Sequence, residues 1–204
     1  MAVNAVREWR SPLSALIREG EAFRIRLGDS SGPVRLFAFP LDSGDALIGQ
    51  EWLCCAEHPE TPAISLKGDF FSIRLADLPD SVQSIAFSLC ACQGVLSGHT
   101  AALIQDEEEV SFALNAEELK GLNSLVSILI YRKGVWRIRC VGQGFFGGLQ
   151  ALLDHYKAQM PVPAAPPAPA PRPQATPDRR QAGTAFTPSA SGPPPAKDSA
   201  VWVQ

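Results

Sequence analysis

Ile130-Tyr131-Arg132-Lys133-Gly134-Val135-Trp136-Arg137-Ile138-Arg139-Cys140-Val141-Gly142-Gln143-Gly144-Phe145-Phe146-Gly147-Gly148-Leu149 sets two folds against each other. An alternating run, Val135 to Val141, enters a glycine-rich corner, and an amphipathic stretch, Leu149 to Tyr156, leaves it. As a bare pattern, Gly142-x-Gly144-x-x-Gly147 is a dinucleotide-binding fingerprint, whose glycines let a pyrophosphate approach a helix N-terminus. Such a site also needs a second strand after the helix and an acidic residue about 20 positions on for the ribose. The chain instead runs into a proline-rich tail. The glycines therefore read as a tight strand-to-helix corner, with Phe145 and Phe146 folded under the sheet.

Working outward, Arg132-Lys133-Gly134 forms a hairpin loop between the apolar runs Leu125 to Tyr131 and Val135 to Val141. Upstream, Phe23, Ile25 and Leu27 alternate with Arg24 and Arg26, and a Gly28 to Pro33 turn leads into Val34 to Phe39. Trp52 to Ala56, Phe70 to Leu75, Ile85 to Cys92, Ala101 to Ile104 and Val110 to Leu114 continue the series, giving about nine strands. With so few helical segments between them, parallel crossovers are hard to build. The expected fold is all-β, an antiparallel β-sandwich. One short C-terminal helix is expected, because Leu149, Leu152, Leu153 and Tyr156 share a face that can cover the sandwich edge before Pro161 and Pro163 stop it. At the N-terminus, Ser11-Pro12 can open a helical turn, and Leu16 to Leu27 reads equally well as a hairpin around Glu19-Gly20.

Of 18 prolines, 12 lie between Pro161 and Pro195, so the expected division is a body, residues 1–159, and a disordered Pro/Ala-rich tail, residues 160–204. The tail holds four basic and two acidic side chains, leaving 14 and 19 in the body. Neither part shows the clustered basic face of a nucleic-acid binder. No apolar stretch approaches the roughly 20 residues that span a bilayer, and Met1 to Trp9 lacks a signal-peptide pattern, so a cytoplasmic protein is expected. Five cysteines, two of them adjacent, fit a reducing compartment better than a disulfide framework.

Candidate chemistry is thin. Cys90 and Cys92 with His99, or Cys54 and Cys55 with His58, are possible soft-metal or thiol sites. Neither pair has the zinc-chelating C-x-x-C turn, and adjacent strand residues point to opposite faces. His58, His99 and His155 are candidate general bases, yet none sits in a nucleophile motif such as G-x-S-x-G. Asp106 to Glu109 reads as a solvated acidic turn, and His155 as a solvated helix-end histidine. The chain ends Val201-Trp202-Val203-Gln204, an apolar tip on a long tether that fits a partner-docking peptide.

The stretch quoted first resembles the C-terminal signature of the TerD-like tellurium-resistance and general stress domain. The likeness rests on a tyrosine-containing hairpin, an aromatic after the turn, and the corner Gly142, Gln143, Gly144, Phe145, Gly147, Gly148, Leu149. Ile73 to Pro79 followed by Ile85-Ala86-Phe87, and Leu16 to Leu27, resemble upstream segments of the same family, so the likeness covers residues 13–157. It implies a β-sandwich. Family members that bind calcium carry an Asp-x-Asp pair on an early strand and a long acidic loop. Here a register anchored on Phe39 and Asp42 places Pro33 and Arg35 at the two aspartate positions, and His58 to Asp69 keeps only Glu60 and Asp69 as acids. Calcium needs about six to eight oxygen ligands, several anionic, so the family site is expected to be lost and no cofactor is expected. The resemblance further implies a non-enzymatic binding or scaffold module. Its implied partners lie in a stress or defence complex near the inner membrane, and include other TerD-like or metal-ion-dependent adhesion domains. The alternative is a metal-responsive or thiol-redox protein using Cys54, Cys55, Cys90 and Cys92.

Overall fold

The computed structural model describes residues 3–5, 9–18, 20–29, 32–114 and 117–161. All of these fall in one compact unit, Met1–Ala164. The tail, with Val201, Trp202 and Val203, lies outside the described residues.

Among the described residues, twelve strands and one helix follow in chain order: β1 (Val3–Ala5), β2 (Arg10–Pro12), β3 (Phe23–Asp29), β4 (Val34–Leu41), β5 (Cys54–Cys55), β6 (Ile64–Lys67), β7 (Phe70–Ile73), β8 (Ser84–Ala91), β9 (His99–Gln105), β10 (Glu108–Leu114), β11 (Ser124–Lys133), β12 (Val135–Phe145) and α1 (Gly148–His155). They form two six-stranded sheets, β1-β10-β9-β3-β7-β6 and β2-β12-β11-β8-β4-β5. Every pairing is antiparallel except β1 with β10, which is parallel. The expected all-β sandwich with a C-terminal helix is the observed one.

Side-chain alternation explains why the sheets face each other. Phe23, Ile25 and Leu27 are buried between the sheets, while Arg24 and Arg26 point outward and flank the Phe70 ring at 5.4 and 5.8 Å. The rings of Phe71 and Phe87, one from each sheet, meet edge to face at 5.3 Å in that core. A second apolar cluster lies on the outer face of the other sheet, where Phe37, Phe39, Leu41 and Val126 meet Leu152, Leu153 and Tyr156. Buried on both faces, β4 therefore reads as an almost unbroken apolar run.

Three expectations need correction, and the open alternative at the N-terminus is settled. Among the described residues the strand count is twelve and not nine, because β1, β2 and β6 span only three or four residues, too short for periodicity to register. Trp52 to Ala56 is not one strand but a 3-10 turn, Gln50–Trp52, followed by the two-residue β5, and Phe70 to Leu75 ends at Ile73. The N-terminal segment resolves into a 3-10 turn, Leu13–Ala15, with Gly20 at φ +84° before β3. Pro12 ends edge strand β2, where its missing N–H leaves no ladder bond unmade. Finally, α1 covers the outer face of the second sheet and not the sandwich edge; the Phe39 and Tyr156 rings meet there, tilted by 35°, with centroids 4.8 Å apart.

Candidate functional site

The glycine corner is built by sheet geometry. Between Val126↔Gln143 and Ile128↔Cys140 the ladder advances two residues on β11 but three on β12, so β12 carries a bulge there. Gly142 sits in it at φ +63°, a backbone that L side chains rarely adopt. Gly144 answers a different need: a Cβ there would lie 2.0 Å from Leu122 Cδ1. Gln143 is exposed, and Gly147 and Gly148 open α1. The Asn123 N–H donates to the Phe145 carbonyl at 3.1 Å and the Ser124 hydroxyl to the Gly148 carbonyl at 3.0 Å, fastening the corner to β11. Phe145 and Leu149 are half-buried against the outer cluster. Phe146 does not fold under the sheet. It is 73% exposed, because β12 has ended and its ring extends over the backbone of Gly121.

The positions aligned with calcium ligands hold a different arrangement. Arg35 Nη2 donates to Glu57 Oε1 in a close ion pair, lies 5.6 Å from the Phe37 ring centroid and reaches Met160 Sδ at 3.9 Å. Pro33 is exposed, and its carbonyl accepts from the Cys92 N–H at 3.1 Å. The Asp69 carbonyl accepts from Leu27 N–H at 3.1 Å, and Glu60 bridges to Ser65. Asp42 is spent locally: its Oδ1 accepts from Ala46 N–H at 3.0 Å and Gly44 N–H at 2.7 Å. Those two bonds, Ala46 first, hold its carboxyl below the usual carboxylate range. Among the described residues, no three of His, Cys, Asp and Glu converge on a position for a metal ion.

The thiols and imidazoles likewise stand apart. Cys54 belongs to the inter-sheet core and Cys55 to the outer cluster, so the two face opposite ways, as strand geometry requires. Burial, with Cys55 second, pushes Cys54 up to about 12; burial alone does the same to Cys140. Cys55 and Cys90 are also raised, chiefly by burial, while Cys92 is exposed. His58 donates from Nδ1 to the Leu53 carbonyl at 2.9 Å and so closes a turn. Exposed His155 packs its ring against Phe145 and Tyr156 at 5.1 and 4.7 Å.

His99 gains a partner that the sequence reading missed. Its Nδ1 donates to the Gly28 carbonyl at 2.9 Å, which leaves Nε2 to accept from the Ser127 hydroxyl at 2.6 Å. Ser127 is the extra residue where β11 bulges against β8, and the bulge turns it toward the core. A serine and a histidine in contact are a nucleophile and its base in outline. Here both are buried, at 0% and 1% exposure, so the pair joins the two sheets from within the core.

The acidic turn is partly neutralised: Asp106 pairs with Arg18 at 2.7 Å and Glu109 with Arg26 at 3.1 Å. The sequence reading also missed a groove of about 460 Å³ beside the β11–β12 hairpin, lined by Leu13, Ile17, Leu75, Leu78, Val135 and Trp136. Its walls come from three distant segments, so no single stretch announces it.

Comparison with known proteins places these features. Residues 56–156 match the TerD domain family. A stretch of 106 residues is 33% identical to the tellurium resistance protein TerA of Alcaligenes sp, covering 48% of this chain and 31% of that protein. The chain thus spans under a third of the length of that curated relative. Among solved structures, a protein of unknown function aligns over 63% of this chain and 92% of its own at 11% identity, with a TM-score of 0.48. A homologue of the telluride resistance protein TerD from Streptomyces coelicolor A3(2) aligns over 65% and 94% at 12% identity, with a TM-score of 0.46. Residues 56–156 of this chain thus form a TerD domain, the feature it shares with TerD-like tellurium-resistance proteins.

Proposed function

We propose that the protein is a non-enzymatic, cytoplasmic accessory of tellurite resistance or the stress response, a binding or scaffold module that works without calcium. The observation that carries this reading is the Arg35–Glu57 pair. A guanidinium held by its own carboxylate, and capped by Phe37 and Met160, supplies on the protein's own side chains the positive charge that a bound cation would bring. An ion approaching that point meets like charge and finds Glu57 already engaged. Support against a catalytic role comes from the groups able to do chemistry: His99 and Ser127 are sealed in the core, and burial keeps four thiols in the neutral form at physiological pH. The scaffold reading adds protein partners in a stress or defence complex, with Val201, Trp202 and Val203 as a tethered docking tip.

Two measurements on the full chain test it together. Calcium titrated to millimolar levels should leave the melting temperature unmoved, since a ligand stabilises only by binding the native state. A rise of several degrees with stoichiometric binding would remove the calcium-independent reading. Affinity capture under stress should recover partners with the full chain that a form ending at Gln159 loses; equal recovery by both assigns no docking role to the tip.

A further inference from the structure

We infer that the domain associates head to tail with a second copy of itself, the Phe146 ring of one copy seating in the hairpin groove of the next. Two features are unexplained by the fold alone. Phe146 is 73% exposed, at the end of β12 where Val95, 46% exposed, belongs to the adjoining loop. The Leu96 N–H donates to the Leu122 carbonyl at 2.8 Å, which holds that loop beside Gly121, over which the Phe146 ring lies. At the other end of β12 lies the groove, whose floor is the side chains of Leu13, Ile17, Leu75, Leu78 and Trp136, with Val135 at the rim. At about 3.3 Å per residue, the eleven residues of β12 set ring and groove roughly 30 Å apart. One copy therefore cannot fill its own groove with its own ring.

The groove has room for the ring and carries acids that a base beside the ring can meet. A volume of about 460 Å³ is ample for one benzyl side chain, and the walls offer aliphatic and indole surface to it. Lys120 stands next to Gly121 at the ring end, and the groove carries Glu21 and Asp80. The Asp80 side chain is fully exposed and reaches Arg132 only at 3.7 Å, so it is available to an incoming ammonium. A protruding ring and a complementary groove at separate places on one surface make a heterologous contact, which repeats until a rotation closes it or the chain runs on. The inference extends the binding-module reading to a second copy but does not depend on it. Self-association and capture of other partners can each fail while the other stands.

Sedimentation of the full chain across micromolar to millimolar concentration tests it. The wild type should pass from monomer to dimer and larger species. Phe146→Ser and Val135→Arg, both at exposed positions, should each weaken association about tenfold or more, as loss of an interface anchor does. Mixing the two is decisive. Phe146→Ser keeps a groove and Val135→Arg keeps a ring, so together they should form a dimer that grows no further. Monomeric wild type at every concentration, association that survives both substitutions, or a mixture that stays monomeric would each overturn the proposal. Retention of the wild-type melting temperature by both variants separates a lost contact from a lost fold, and unchanged capture of other partners by Phe146→Ser keeps the binding-module reading apart from this one.

Discussion

Gly142 and Gly144 lie two residues apart in one motif, yet substitution should harm them by separate physical routes. At Gly142 the backbone is left-handed, φ +63°, and a side chain there costs about 1–2 kcal/mol wherever its atoms go. At Gly144 the obstacle is Leu122, and forcing a methyl into that space costs about 1–3 kcal/mol by overpacking. Gly142→Ala and Gly144→Ala should therefore both lower the urea midpoint, but only the second should be rescued by Leu122→Ala measured in a double-mutant cycle. Equal rescue of both would mean that the bulge does not constrain Gly142. The sequence pattern alone indicated a corner demanding glycine, since a strand, three spaced glycines and a helix leave few other readings. It did not reveal that Phe146 is exposed, because that depends on Gly121, a residue 25 positions earlier on another loop. Nor did it show Arg35 meeting Glu57 or His99 meeting Ser127, contacts made across 22 and 28 residues that no local spacing encodes.

Helix α1 was legible as an element and illegible as a contact. Leu149, Leu152, Leu153 and Tyr156 share a helical face by periodicity, and Leu152 and Leu153 are indeed buried. Periodicity names the apolar face but not what it covers, and the helix proves to lie over β8, β11 and β12 on the outside of the second sheet. The short strands β1, β2 and β6 were invisible for a related reason: three or four residues hold at most two alternations, and tertiary pairing rather than propensity makes them strands. Because the cluster under α1 is distinct from the inter-sheet core, damage there should remain local. Leu152→Ala removes a side chain with 0% exposure and should cost about 2–5 kcal/mol. Hydrogen exchange should then quicken first along Gly148–His155 and later in the central strands β8 and β11. Uniform loss of protection would show that the helix and the sandwich unfold as one.

For the molecule as a whole, the buried ionisable groups set an alkaline limit on stability. Cys54 and Cys140 ionise near 12 in the folded protein against a thiol value of 9.0 in the open chain, Cys55 and Cys90 shift the same way, and burial raises Tyr156 above its ordinary value of 10.0. Each is an acid whose neutral form the fold prefers. Below about pH 9 both states keep these protons and the contribution to stability is fully present. As the pH rises toward 12 the unfolded chain releases protons that the native state retains, so it binds fewer and stability falls with each further pH unit. Urea midpoints taken under reducing conditions should be level through neutrality and decline steadily above about pH 9. Replacing Cys54 and Cys140 with Ala should lower the neutral midpoint, through the lost packing, while making the alkaline decline shallower by about one proton per thiol removed. A double variant that keeps the full slope would locate the alkaline limit elsewhere, in Tyr156 or in the remaining thiols, and would show that the two sulfurs are better hydrated than their burial implies.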